Sequence, residues 1–121
     1  MHVVRVTDSP EARSDRPIFV GEVYHRPLID AATCPAATVG LVRFVDGGKN
    51  HPHIHTADQI LYITEGAGIV GGPAGDTHVL AGDIVHIPAG EVHWHGARPG
   101  LHMAHLSILP PCETTVLDPG S

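Results

Sequence analysis

Positive charge is scarce in this chain: Lys and Arg number 7 among 121 residues, against 13 Asp and Glu, for a formal net charge of −6. A surface that grips a nucleic-acid backbone needs clustered cations, so a scattered few argue against DNA and RNA as partners. Cysteine is equally sparse. Cys34 and Cys112 form no C-x-x-C arrangement and sit beside prolines in loop-like settings, which reads as two free thiols rather than a disulfide or a nucleophile. No apolar run reaches transmembrane length. The start, Met1-His2-Val3-Val4-Arg5, passes into polar Thr7-Asp8-Ser9-Pro10 instead of a signal-like hydrophobic segment, so no membrane partner and a cytoplasmic location are expected. Sustained helical periodicity is missing as well.

What is present is glycine, proline and histidine. The 14 Gly and 11 Pro punctuate short runs such as Val39-Gly40-Leu41-Val42, Ile69-Val70, Ile84-Val85 and Leu106-Ser107-Ile108, the pattern of closely spaced strands. At 42% hydrophobic the chain can bury one core, so an all-β, single-domain barrel is expected, with homodimerisation as added stability for so small a domain. Residues 1–35 read as an arm with strand-like pieces at His2–Thr7 and Ile18–His25, packing on the barrel or on a dimer partner. Residues 36–110 read as the barrel core, in which Asp46-Gly47-Gly48 is a turn and Val92–His95 a strand. Residues 111–121 read as a tail.

Histidine, at 11 residues, carries the chemistry. Side chains at i and i+2 of a strand share a face, so His53 and His55 can address one ion. Gln59 opens the next apolar run and His93 follows the breaker Pro88-Ala89-Gly90, which completes three imidazoles and one carboxamide. Such a four-ligand shell leaves positions open for water or a small-molecule substrate. The nitrogen-rich set suits one divalent transition metal per chain: Mn, Fe, Co, Ni, Cu or Zn. A neutral ligand set leaves the ion's charge uncompensated, so an anionic substrate is held better than beside a carboxylate ligand. His51 shares the parity of His53 but stands before Pro52, and is read as a neighbour of the ligands. His95 follows His93 by two and should face the same interior, where a general base would sit; the alternative is a hydrogen-bonded barrel histidine. Trp94 alternates away. His25, His78, His86 and His102 carry no spacing signal.

The segments Gly47-x5-His53-x-His55-x3-Gln59-x6-Gly66 and Gly82-x5-Pro88-x-Gly90-x2-His93 resemble the two signature motifs of the cupins. The resemblance implies a double-stranded β-helix, or jelly-roll barrel. Two positions depart from the family pattern: Gln59 stands where Glu is usual, and Ala97 where an Asn often closes the second motif. The stretch Gly90 to Ala97, with Met103-Ala104-His105-Leu106, resembles small bacterial cupins that include manganese-dependent hydroxynitrile lyases, whose metal is held by three His and one Gln. That likeness implies manganese at His53, His55, Gln59 and His93, with His95 and His105 as acid–base residues.

Three functions are compatible with these features. The first is a metal-dependent lyase, cyanohydrin cleavage being its sharpest form. The second is a quercetinase-like dioxygenase, whose common Glu is absent here; a related option is sugar-ring chemistry like that of pectin-degradation cupins. The third is a non-catalytic sensor or binder. Surplus histidines at 95 and 105 favour an enzyme, since a binder needs no spare proton carriers. Alternation predicts Val39, Leu41, Tyr62 and Met103 around the substrate.

Overall fold

Period-two alternation, interrupted by glycine and proline, decides the architecture. The structure, a computed structural model, describes residues 1–117; positions 118–121 of the expected tail lie outside the described residues. The strands are β1 (Ala12–Arg13), β2 (Phe19–Ile29), β3 (Thr38–Asn50), β4 (His53–His55), β5 (Gln59–Gly72), β6 (Gly75–Leu80), β7 (Ile84–Ile87), β8 (Trp94–Ala97), β9 (Met103–Leu109) and β10 (Thr114–Val116). The one helical piece among the described residues is a 3-10 turn at Val6–Asp8. Among the described residues no helix is long and apolar enough to cross a membrane.

The barrel closes through a ring of antiparallel pairings. β3 pairs with β9, β9 with β5, β5 with β8, and β8 returns to β3 at Lys49↔Gly96. Closure depends on the length of β5, which pairs with β9 and β7 over its first half and with β8 and β6 over its second. Gly66 sits at the bend between the halves with φ 78°, and a Cβ there would overlap the His102 carbonyl, so only glycine fits. Val23, Phe44, Leu61, Ile63 and Met103 are fully buried at the centre, each contributing about 1.5–3 kcal/mol of apolar burial.

Three expectations need correction. His2–Thr7 makes no strand. Arg26 Nη1 donates to the carbonyls of Val6 and Ser9 at 3.2 and 2.7 Å, which holds the segment in a tight turn against β2. Asp46-Gly47-Gly48 is not a turn between strands. β3 runs through it as a bulge, with Asp46 at φ 48° and Gly47 at φ 74°, and the matching register shift falls between Val20 and Glu22 of β2. The bulge lets β3 continue to Asn50, whose side chain is buried beside His95. The tail also carries a strand: β10 pairs with β4, setting Thr114 opposite His55 and Val116 opposite His53. Cys34 and Cys112 are both free thiols, as the sequence suggests.

Candidate metal centre and the adjacent histidine pair

β4 buries His53 and His55 on one face and leaves Ile54 half-buried on the other, as alternation requires. His93 does not lie within a strand, because β8 begins one residue later at Trp94. It joins the site through an isolated antiparallel bridge to His53, with reciprocal N–H···O bonds of 2.9 and 3.1 Å. This bridge presses the His53 and His93 rings together at 4.2 Å between centroids. One nitrogen from each of His53, His55 and His93 falls within 4.8 Å of the others. Gln59, buried at the start of β5, brings its Oε1 to 3.2 Å from His93 Nε2.

The hydrogen bonds around these rings decide which atoms face inward. His53 Nδ1 donates to the His51 carbonyl at 2.8 Å and His93 Nδ1 donates to the Glu91 carbonyl at 2.9 Å. A carbonyl only accepts, so both protons sit on Nδ1 and both Nε2 atoms present lone pairs to the cluster. His93 Nε2 and Gln59 Oε1 are therefore two lone-pair atoms in close apposition, an arrangement that a shared cation relieves. His55 Nδ1 is paired with Thr114 Oγ1 at 2.8 Å, while its Nε2 is buried without a hydrogen-bond partner among the described residues. Gln59 Nε2 donates to Ser107 Oγ at 2.8 Å, which turns its carbonyl oxygen toward the imidazoles. Burial pushes His53 down to about 3, His55 down to about 4, and His93 below its ordinary value. All three rings are then neutral and able to ligate near pH 7. The donor set fits a divalent transition ion.

Next to the cluster lies a second histidine pair. The His95 ring is 5.6 Å from that of His53 and 5.8 Å from that of His93. His105 Nε2 stands 3.0 Å from His95 Nδ1. Asn50 fixes His95 by accepting its backbone N–H at 2.8 Å, with Nδ2 against the ring edge. Phe44 packs on both rings, at 5.9 Å from His95 and 5.5 Å from His105. This apolar floor desolvates the pair: His95 is driven well below the ordinary imidazole value, and His105 down to about 4. His105 Nδ1 is buried with no partner among the described residues.

His53, His55 and Gln59 of the cluster, with His95 and His105, line one cavity of about 330 Å³, in the size range of small-molecule sites, while His93 closes the cluster from behind without lining that cavity. The structure thus brings all six predicted residues, His53, His55, Gln59, His93, His95 and His105, into a single region. The predicted substrate-facing set fares less well. Val39 lines the cavity, but Tyr62 is 40% exposed on the outer face of β5, Met103 is in the closed core, and Leu41 has the outward parity beside Gly40 and Val42, which do line it. Val39 lines the cavity at the point where the register of β2 on β3 shifts between Pro27 and Ile29. Sequence reading passed over Asn50, Ser107 and Thr114. Ser107 follows His105 by two and could have been found by alternation. No local signal marks Thr114, which depends on the β10–β4 pairing. His51 contributes its carbonyl rather than its ring.

Comparison with known proteins agrees with this geometry. The (R)-mandelonitrile lyase of Granulicella tundricola is 36% identical over 112 residues, covering 89% of this chain and 83% of that protein. An acireductone dioxygenase of Leptospira biflexa is 44% identical over 46 residues, which span 35% of this chain and 26% of that enzyme. A cupin-like protein of Thermotoga maritima superposes with a TM-score of 0.81 at 29% identity, covering 88% of this chain and 84% of that one. The family model described as "Cupin domain" matches residues 40–108, a span that holds every ligand candidate and the His95–His105 pair. By its barrel, its two motifs and these likenesses, the chain belongs to the cupin family.

Proposed function

We propose that this cupin is a metal-dependent enzyme that acts on a small organic substrate by proton transfer, with cyanohydrin cleavage as the reaction the site supports best. One observation carries the reading: a neutral histidine pair, His95 and His105, lines the same cavity as His53, His55 and Gln59 of a neutral donor set that His93 completes. When bound at His53, His55, Gln59 and His93, a divalent ion supplies Lewis acidity to a substrate oxygen. His95 accepts the proton of the substrate hydroxyl on a ring nitrogen. The carbon–carbon bond to the nitrile breaks, and its electron pair leaves on cyanide. The imidazolium returns the proton, so aldehyde and hydrogen cyanide depart. Desolvation by Phe44 makes His95 a weak base that gives the proton back readily, and His105 holds its ring in place through their 3.0 Å bond.

The mandelonitrile lyase likeness supports this reaction, and manganese is the proposed ion on the resemblance of Gly90 to Ala97 and Met103 to Leu106 to manganese-dependent hydroxynitrile lyases. A homodimer is the proposed working form, supported by Ile60, Tyr62 and Ile84, which lie exposed on the outer faces of paired strands β5 and β7. A cytoplasmic location completes the reading. Dioxygenase chemistry is the second reading, supported by the shorter likeness to acireductone dioxygenase.

Metal analysis of the purified protein beside His53→Ala, followed by mandelonitrile cleavage assays under air and under nitrogen, tests the proposal. About one ion per chain, lost in the variant, with aldehyde release independent of oxygen, is the expected result. Oxygen-dependent turnover of an enolic substrate would move the assignment to a dioxygenase. No ion even after reconstitution would sink the metalloenzyme and leave a ligand-binding barrel.

A further inference from the structure

The cavity has a second polar end, which neither motif contains. His25 of β2 pairs with Val42, and Val42 pairs with His105, so the three lie in one row across the inner face. Two inter-strand steps of ~4.8 Å set His25 on the order of 10 Å from His105, far enough for the two to meet opposite ends of one small molecule. Gly40 makes room for the His25 ring, since a Cβ there would come within 2.7 Å of His25 Nε2. Arg16, in the loop between β1 and β2, lines the same cavity. Burial and the Arg16 guanidinium both disfavour a proton on His25, and no carboxylate counters them.

Of the other arginines on or beside β2, Arg26 and Arg43 both reach Glu11, at 3.5 and 2.6 Å, and Arg13, opposite Tyr24, does not line the cavity. Arg16 forms no ion pair among the described residues. The one carboxylate that lines the cavity, Asp30, is held at its rim, where Oδ1 accepts the Thr33 amide at 2.9 Å. A free guanidinium, an imidazole and mostly apolar walls of Pro27, Ile29, Val39 and Val42 describe a slot for an anionic head on an apolar body.

We propose that Arg16, with His25 seated against Gly40, is a carboxylate subsite, so that the substrate class is a small organic acid whose reacting oxygen faces the His53, His55, His93 and Gln59 cluster at the other end. The assignment of the reacting end rests on the function proposed above; the subsite itself does not. Calorimetric titration of the metal-loaded protein with 4-formylbenzoate, and with the neutral 4-formylbenzamide, tests it, with metal content measured on every sample. The wild type should prefer the acid by about tenfold, a preference that Arg16→Gln erases and Arg16→Lys largely keeps. Gly40→Ala, by displacing His25, should weaken the acid more than the amide. A preference that survives intact in Arg16→Gln would mean that the carboxylate sits on the ion, and would overturn the subsite. Equal affinity for acid and amide in the wild type would overturn it too. If no sample holds metal, the metalloenzyme reading fails, yet loss of the acid preference in Arg16→Gln still supports the subsite and its retention still refutes it.

Discussion

Removing metal should make this protein sharply acid-labile, well above the pH at which carboxylates titrate. Five histidines are buried: His53, His55, His93, His95 and His105. Burial lowers the pKa of each, so the native rings stay neutral as pH falls while the unfolded chain takes up protons through an ordinary value near 6.5. The sign follows from that difference. Their neutral burial costs little at high pH, and stability is lost as pH drops below about 6.5, because protons bind the unfolded state alone. With native values of about 3 for His53 and about 4 for His105, both rings are still neutral at pH 5.5. Each then removes about 1.4 kcal/mol at that pH, and His55, discounted because its ring borders the open cavity, brings the sum to about 3 kcal/mol relative to pH 7. His93 and His95 act in the same direction. A domain of this size has only about 5–15 kcal/mol to lose, so the metal-free barrel should be close to unfolding near pH 5. Urea melts in EDTA between pH 7 and pH 5.5 measure the fall directly, and His105→Gln should reduce the slope by about one proton. A fall of less than about 1 kcal/mol would show that these rings titrate normally, and would refute the desolvated site.

Four further perturbations test individual contacts. Ser107→Ala removes the hydroxyl that turns the Gln59 amide, and should weaken metal affinity by about tenfold in a competition titration while leaving the melting temperature nearly unchanged. Asn50→Ala strips the acceptor from the buried His95 N–H, and should cost about 1–3 kcal/mol in urea melts together with most of the turnover. Thr114→Val leaves His55 Nδ1 without its partner but keeps the shape of β10, so a fall in metal affinity without unfolding is expected by titration and circular dichroism. Gly66→Ala places a methyl into the His102 carbonyl at positive φ, and thermal melts should show a loss exceeding about 2 kcal/mol, or no folded protein.

Much of the site is legible in the sequence because it rests on short-range geometry. His53 and His55 share a face by strand parity, and His95 follows His93 by the same rule. The signals that failed were those in which one residue had to choose between two structures. Asp46 and Gly47 carry turn chemistry, yet the register of β2 converts that turn into a bulge within a continuous strand. Tyr62 and Leu41 were expected around the substrate, but parity alone cannot say which face of a strand is inside until the neighbours are paired.

Sequence by itself determined an all-β barrel and singled out the histidines and the glutamine that the fold gathers in one region, because alternation, glycine punctuation and motif spacing are local properties of the chain. Tertiary structure alone decided how those groups are held. The bridge that sets His93 against His53, the Ser107 and Thr114 hydroxyls that orient Gln59 and His55, and the row that carries His25 toward His105 join residues far apart in the chain. Burial decided their protonation. The depressed basicity of these imidazoles comes from the water they lose to Phe44 and the closed barrel, and desolvation belongs to the packed fold rather than to any segment of sequence.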